Sequence, residues 1–315
     1  MREFARKLKG LSSVAIICHI RPDGDSIGSG LALSLGLKKL GICTEVFCDD
    51  AMPDKFSFLK GINEVKNEFL STTFDGVVAV DCADISRLGN MATIFLNAKN
   101  TFNIDHHHLS NTFFATYNVV IEKSANCENI FYLLKELNVE IDKDIADCLM
   151  AGIITDSGRF AYSSVTSDTF KVASSLMEKG ASLTSINDMV MRKQSIERAK
   201  LYAHVISKVR FYEDNRIAIM YVLREDFEKF NAKEDATDGF VEFVNSIFGV
   251  DVALCIMQNK GNTFKISFRS STVDVNEIAS LFGGGGHKCA SGCMLNGSLE
   301  SVIDKLLYPI KQRLN

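Results

Sequence analysis

Four short stretches of this chain concentrate its acidic and imidazole side chains. They are His19-Ile-Arg-Pro-Asp23-Gly-Asp25-Ser26, then Asp81-Cys-Ala-Asp84 with Arg87 close behind, then Asp105-His106-His107-His108, and last Thr155-Asp156-Ser157-Gly158-Arg159-Phe160. Four of the six histidines and six aspartates fall in them. Taken singly, each has an ordinary explanation. An aspartate at a strand end is usually a turn or helix cap, Asp-Gly-Asp is a turn, and a lone histidine is usually a satisfied polar residue. Together they are harder to dismiss, because carboxylates crowded into a buried sheet repel one another unless cations lie between them. Imidazole and carboxylate donors suit a divalent ion such as manganese, with magnesium as the alternative. Zinc fits less well, since no cysteine cluster joins the set. Two such ions about 3.5–4 Å apart activate water and clamp both oxygens of an in-line phosphoryl displacement. That needs six or so ligands, one of them bridging, and the four stretches supply that number.

The elements that must position these groups are legible as alternating strands and helices. Residues 14–20 (VAIICHI), 42–48, 76–80 and 101–104 read as short apolar strands, and 27–40 and 144–154 as helices. This βαβ alternation predicts an α/β fold, with a mostly parallel N-terminal sheet and helices on both faces. Sites in such sheets gather at the carboxyl ends of strands, where His19, Asp81 and Asp105 stand. A polar, basic helix over 187–209 reads as a linker. Beyond it, strands at 216–222, 252–257 and 264–269 and helices at 275–282 and 298–314 predict a smaller α/β domain. The expected organisation is 1–186 for the metal-binding domain, 187–209 for the linker helix and 210–315 for a substrate-binding domain. The active site is expected in the cleft between them.

Composition narrows the function classes. With 315 residues, 46% apolar and 23% charged, the chain has material for two folded domains. No apolar run approaches the ~20 residues that span a bilayer, and the N-terminus lacks the greasy core of a signal peptide. The expectation is a cytoplasmic protein with no membrane partner. The nine cysteines include no C-x-x-C pair, so all are expected to be small buried hydrophobes in a reducing compartment. A net charge of −4 argues against a coat for long duplexes and favours a small anionic substrate gripped locally. A homodimer is compatible with the chain.

The series H-x-x-x-D-x-D, D-x-A-D, D-H-H and D-S-G-x-F resembles the DHH phosphoesterases. Gly283-Gly284-Gly285-Gly286-His287-Lys288-Cys289-Ala290-Ser291-Gly292 resembles the signature of the domain that usually accompanies them. The resemblance covers essentially the whole chain. It implies that His19, Asp23 and Asp81 hold one metal and that Asp25, Asp81, His106 and Asp156 hold the other, with Asp81 bridging. It further implies hydroxide between the ions as nucleophile, with His107 as transition-state donor or as acid for the leaving oxygen. Asp105 orients the histidines or serves as a looser ligand. In the second domain the resemblance implies a substrate grip of Arg269, His287, the backbone at Gly284, Gly285 and Gly286, and the Ser291 hydroxyl. Arg269 reads as a phosphate fork, a stacking partner for a base, or an exposed strand residue. Asp84 and Arg87 either pair with each other or line the site, while His108 and His204 read as spare and structural. Cys82 and Ser157 stand where the family often has threonine, and neither change removes a ligand.

Among the family's branches, a two-domain chain resembles the oligoribonucleases that degrade RNA of a few residues. Some of these also remove the 3′-phosphate of 3′-phosphoadenosine 5′-phosphate. The alternative is a phosphodiesterase of cyclic di-AMP or its linear product. Two readings come from other classes: a nucleotide-binding regulator without turnover, and an RNA-binding module built on the glycine-histidine loop. The full ligand set argues against the first, and the low net charge and lack of aromatics near basic residues against the second.

Overall fold

The computed structural model describes residues 1–69, 73–107, 114–192 and 194–314, which form two compact units, 1–193 and 194–315. In the first unit the strands are β1 (Ser13–Ile17), β2 (Cys43–Phe47), β3 (Gly76–Val80), β4 (Thr101–Asp105) and β5 (Tyr117–Val120). Among the described residues they make one five-stranded sheet, all parallel, in the order β2-β1-β3-β4-β5. The helices are α1 (Arg2–Lys9), α2 (Gly24–Lys39), α3 (Ala92–Leu96), α4 (Asn126–Glu136), α5 (Lys143–Asp156), α6 (Ser167–Glu178) and α7 (Leu183–Asn187).

Strand periodicity divides the core between the two faces of this sheet. Val14, Ile16, Val46, Val78, Val80, Phe102 and Ile104 join a large apolar cluster with residues of α1, α2, α4, α5 and α6. Their neighbours Ala15, Ile17, Phe47, Val77 and Ala79 join a smaller one with Leu88, Met91, Ile94 and Phe95. Burial on both faces is why the strands read as continuous apolar runs rather than alternating ones.

The second unit opens with α8 (Ile196–Ile206), whose Leu201 and Val205 belong to that unit's own core. Its strands are β6 (Arg210–Tyr212), β7 (Ile217–Val222), β8 (Val252–Gln258), β9 (Thr263–Ser270), β10 (Gly285–His287) and β11 (Ala290–Asn296). They run in the order β10-β11-β9-β8-β7-β6, with β7 and β8 parallel and the other pairs antiparallel. The remaining helices are α9 (Arg224–Phe230), α10 (Phe240–Asn245), α11 (Val275–Ser280) and α12 (Leu299–Lys311). No described helix is long and apolar enough to cross a membrane. The expectation that every cysteine is buried needs correction, because Cys43 and Cys289 are exposed. Cys43 opens the edge strand β2, and Cys289 sits in the turn between β10 and β11, where no layer covers a side chain.

Candidate metal centre

The strand order reverses at β1, whose neighbours β2 and β3 lead away in opposite directions. The crevice beyond the carboxyl ends of β1 and β3 is the place where such sheets accept ligands. There His19, two residues past β1, brings Nε2 to 3.3 Å from Asp81 Oδ2, the residue after β3. Asp23 Oδ2 lies 3.7 Å from the same nitrogen. Asp23 also caps α2, accepting hydrogen bonds from the backbone of Asp25 and Ser26 through its other oxygen. The residue that starts the helix is thereby fixed beside His19.

A second group surrounds His106, one residue past β4. Its Nε2 is 3.3 Å from Asp81 Oδ1, 3.5 Å from Asp156 Oδ2 and 3.7 Å from Asp25 Oδ2. Its Nδ1 lies 3.0 Å from the Lys123 carbonyl, which fixes that nitrogen as the donor and leaves the Nε2 lone pair facing the carboxylates. The ligand atoms of His19, Asp23 and Asp81, and those of Asp25, His106 and Asp156, all fall within 4.8 Å of one another in their groups. Asp81 is near both, one oxygen toward each histidine.

Asp25 is held by a helix that sequence reasoning did not connect with it. The α4 N-terminus has Ala125 as its cap residue and no side-chain cap. The free N–H groups of Asn126 and Cys127 donate instead to the two Asp25 oxygens. The sequence carried no signal for it, because the cap-type residues Ser124 and Asn126 flank Ala125 and hide the missing cap. On the far side, α5 delivers Asp156 from its last turn. The two helices approach closely because Gly28 of α2 has no side chain: a Cβ there would lie 2.4 Å from the Cys148 carbonyl of α5.

His107 is placed differently. Its Nδ1 is 2.8 Å from Asp105 Oδ1, which turns Nε2 away from that carboxylate. The ring is 41% exposed, as are Asp23 at 53% and Asp156 at 33%, whereas His19, Asp81, Asp25 and Asp105 are buried. The exposed members mark the mouth of the site and the buried ones its floor. Arg87 Nη2 stands 3.0 Å from His19 Nδ1, so Arg87 lies at the site rather than out on the surface. His108 falls outside the described residues.

The electrostatics call for cations. Burial works against a charged His19, but hydrogen bonds and charge from Asp23 and Asp81 outweigh it and hold its pKa up at about 10. Burial opposes charge on His106 too, and Asp81, Asp25 and Asp156 raise it to about 11. Burial, then the neighbouring carboxylates, push Asp25 and Asp156 well above the usual carboxylate range. His107 is raised chiefly by its hydrogen bond to Asp105. Asp81 Oδ1 is buried and receives no hydrogen bond of its own. A divalent ion beside that oxygen would relieve both the orphaned acceptor and the accumulated charge. The residues present therefore fit two divalent cations.

In the second unit, Arg269 projects from β9 and its Nε and Nη2 reach Glu242 Oε1 at 3.0 and 2.9 Å. His287 is exposed on the edge strand β10. The Ser291 hydroxyl donates to the Val275 carbonyl at 2.7 Å, which ties β11 to α11. Gly284 and Gly286 pack against β11 so tightly that a Cβ would meet the Gly292 and Ala290 carbonyls at 2.2 and 2.6 Å. Gly285 faces open space, with only Asn276 Oδ1 at 3.9 Å. His204 and Lys208 both bond the buried carboxylate of Asp226, a link between α8 and α9.

Comparison with known proteins places the chain in a family. Residues 13–153 match the DHH family N-terminal domain and residues 214–315 the DHHA1 domain. A Thermus thermophilus protein named bifunctional oligoribonuclease and PAP phosphatase NrnA is 30% identical, over 100% of this chain and 94% of its own length. The Bacillus subtilis protein of the same name is 25% identical, over 93% of this chain and 92% of its own. A crystal structure of an exopolyphosphatase-related protein from Bacteroides fragilis superposes with a TM-score of 0.92 at 26% identity, covering 98% of this chain and 95% of that one.

Proposed function

Since the chain belongs to the DHH family of phosphoesterases and carries a DHHA1 domain, we propose that it is a manganese-dependent hydrolase of short oligoribonucleotides. On this reading it releases mononucleotides and also takes 3′-phosphoadenosine 5′-phosphate to AMP. The names of the full-length relatives support the substrate class. The observation that carries the chemistry is Asp81, one carboxylate with an oxygen toward each of two histidine-carboxylate groups.

His19, Asp23 and Asp81 would hold one ion, and Asp25, Asp81, His106 and Asp156 the other. The bound pair supplies a water acidic enough to lose its proton near neutral pH and positive charge to offset that of the phosphate. The side chains of the chain do the rest. The Lys123 carbonyl fixes the tautomer of His106, and the α4 N-terminus holds Asp25 in place. His107, steadied by Asp105, presents Nε2 at the mouth of the site and donates a hydrogen bond to the phosphate or a proton to the leaving oxygen. In the second unit Arg269 and His287 grip a terminal nucleotide, with the backbone at Gly285 open to a phosphate oxygen. To engage phosphate, Arg269 exchanges the Glu242 carboxylate for it.

The deciding assay is manganese-dependent hydrolysis of an RNA dinucleotide, a five-mer, a twenty-mer, 3′-phosphoadenosine 5′-phosphate, and cyclic and linear di-AMP. Fastest turnover of the shortest RNAs is expected. Preference for cyclic di-AMP would overturn the substrate assignment.

A further inference from the structure

The turn that follows Asp156 carries features the metal centre does not need. Five non-glycine residues of the first unit have positive φ among those described: Arg21, Asp81, Asn138, Arg159 and Phe160. Four of them lie in the chain stretches that carry the metal-centre residues, and Asn138 alone lies elsewhere, just past the end of α4. Gly158 at φ 55° would by itself end α5, yet Arg159 at 61° and Phe160 at 65° continue in the same costly region. Strain of this kind persists where surrounding structure enforces it, and it clusters at functional sites. Here the buried Ser157 enforces it, its hydroxyl accepting from Phe160 N and its carbonyl from the backbone of Ala161 and Tyr162.

The strained turn displays groups suited to a nucleotide. Arg159 is exposed and makes no ion pair among the described residues. The Tyr162 ring lies over Gly158, where a Cβ would come within 2.5 Å of it, and the residue is 57% exposed. Phe160 stacks on Phe170 with centroids 5.4 Å apart, and Phe170 is 56% exposed. Aromatic rings fixed in place beside a free guanidinium bind nucleobases at small entropic cost. The turn follows directly in the chain on Asp156, the last residue of α5 and a part-exposed member of the metal-centre groups.

We infer that the 158–162 turn is a base-binding subsite, with Tyr162 stacking on one base of the substrate and Arg159 meeting the same nucleotide. This rests on the oligonucleotide reading above and goes further, because it assigns a base to the metal side of the enzyme.

The test uses the manganese-loaded full chain and an RNA dinucleotide, alongside two counterparts in which one base or the other is replaced by hydrogen. Wild type is expected to cleave the intact dinucleotide at least about fivefold better in kcat/KM than one of the abasic forms, the low end of what stacking supplies. Tyr162→Ala and Arg159→Ala should each erase that preference, chiefly through KM, and Tyr162→Phe should keep it. The manganese-induced rise in melting temperature should be the same in all three variants. A preference that survives Tyr162→Ala overturns the subsite. So does one lost together with the manganese response, since Tyr162 would then be a prop for Asp156. A dimer split by Tyr162→Ala with unchanged kinetics assigns the ring to a second copy of the chain and overturns it too. Equal cleavage of intact and abasic forms by wild type overturns the subsite and leaves the oligonucleotide reading standing, whereas cleavage of none of them ends both.

Discussion

At the scale of single residues, the site turns on how many neighbours share Asp81. Its oxygens face His19 and His106 separately, and its backbone sits at φ 55°, so the fold accepts strain to aim it. Asp81→Asn should cut manganese-dependent turnover by about a thousandfold or more and remove the manganese-induced rise in melting temperature, as read by assay and thermal scan. His107→Ala is expected to cost about 100- to 10,000-fold in kcat and to leave that rise intact, because His107 faces the phosphate in the proposed mechanism. The histidines also give a pH prediction with a definite sign. His19 and His106 are raised from about 6.5 in the unfolded chain to about 10 and 11 in the metal-free fold. Their contribution to stability is full below pH 6.5 and is lost as pH rises through about 10 and 11. Melting of the metal-free protein should fall steadily from pH 6.5 to 9. Manganese must displace those protons, so its affinity should rise over the same range, with proton release visible as buffer-dependent heats in titration calorimetry. A flat affinity would mean that neither imidazole is a ligand.

At the scale of elements, the candidate ligands are held in place because α2, α4 and α5 pack without slack. Gly28→Ala would drive a methyl into the Cys148 carbonyl. It should cost about 1–3 kcal/mol in chemical denaturation and weaken manganese binding, though it touches no ligand. If stability falls and manganese affinity stays unchanged, the metal groups do not depend on the α2–α5 contact. Legibility followed the same physics. Strands buried on both faces announce themselves, and 76–80 has the same limits in sequence and structure. The loops that bring the candidate ligands together were readable because Asp, His and Gly recur at strand ends. What escaped was non-local. α1, with its few apolar residues Phe4, Ala5 and Leu8, carries too short a pattern, and β5 alternates weakly. The glycine run read as part of a substrate grip, and what escaped is that Gly285 and Gly286 belong to the strand β10 paired with β11, because a hairpin partner is invisible in local spacing. Nor could sequence show that Asp25 caps a helix 101 residues away.

At the scale of the whole molecule, charge and the two-unit organisation bear on substrate length. A binder of long RNA gains affinity with each phosphate it neutralises, and that gain is steeply salt-dependent. This chain carries 35 basic against 39 acidic residues, so a polyanion running beyond the site meets a surface with no net attraction. Many basic groups are also engaged: Lys38 with Glu64, Lys66 with Glu45, Lys123 with Asp168, Arg210 with Glu300 and Arg216 with Asp251. In the proposed mechanism the attraction is therefore local, coming chiefly from the ions that the first unit would hold. On that reading the first nucleotides of a strand satisfy it, and every added nucleotide brings chain entropy and repulsion without a contact. Across a ladder from dimer to thirty-mer, kcat/KM should be highest for the shortest RNAs and fall as the strand lengthens. The salt dependence measured for the dimer should be shallow and no steeper for the thirty-mer. Equal rates at both ends of the ladder, or a salt slope that grows with length, would mean that a phosphate-tracking surface exists beyond the metal centre and that the short-substrate assignment is wrong.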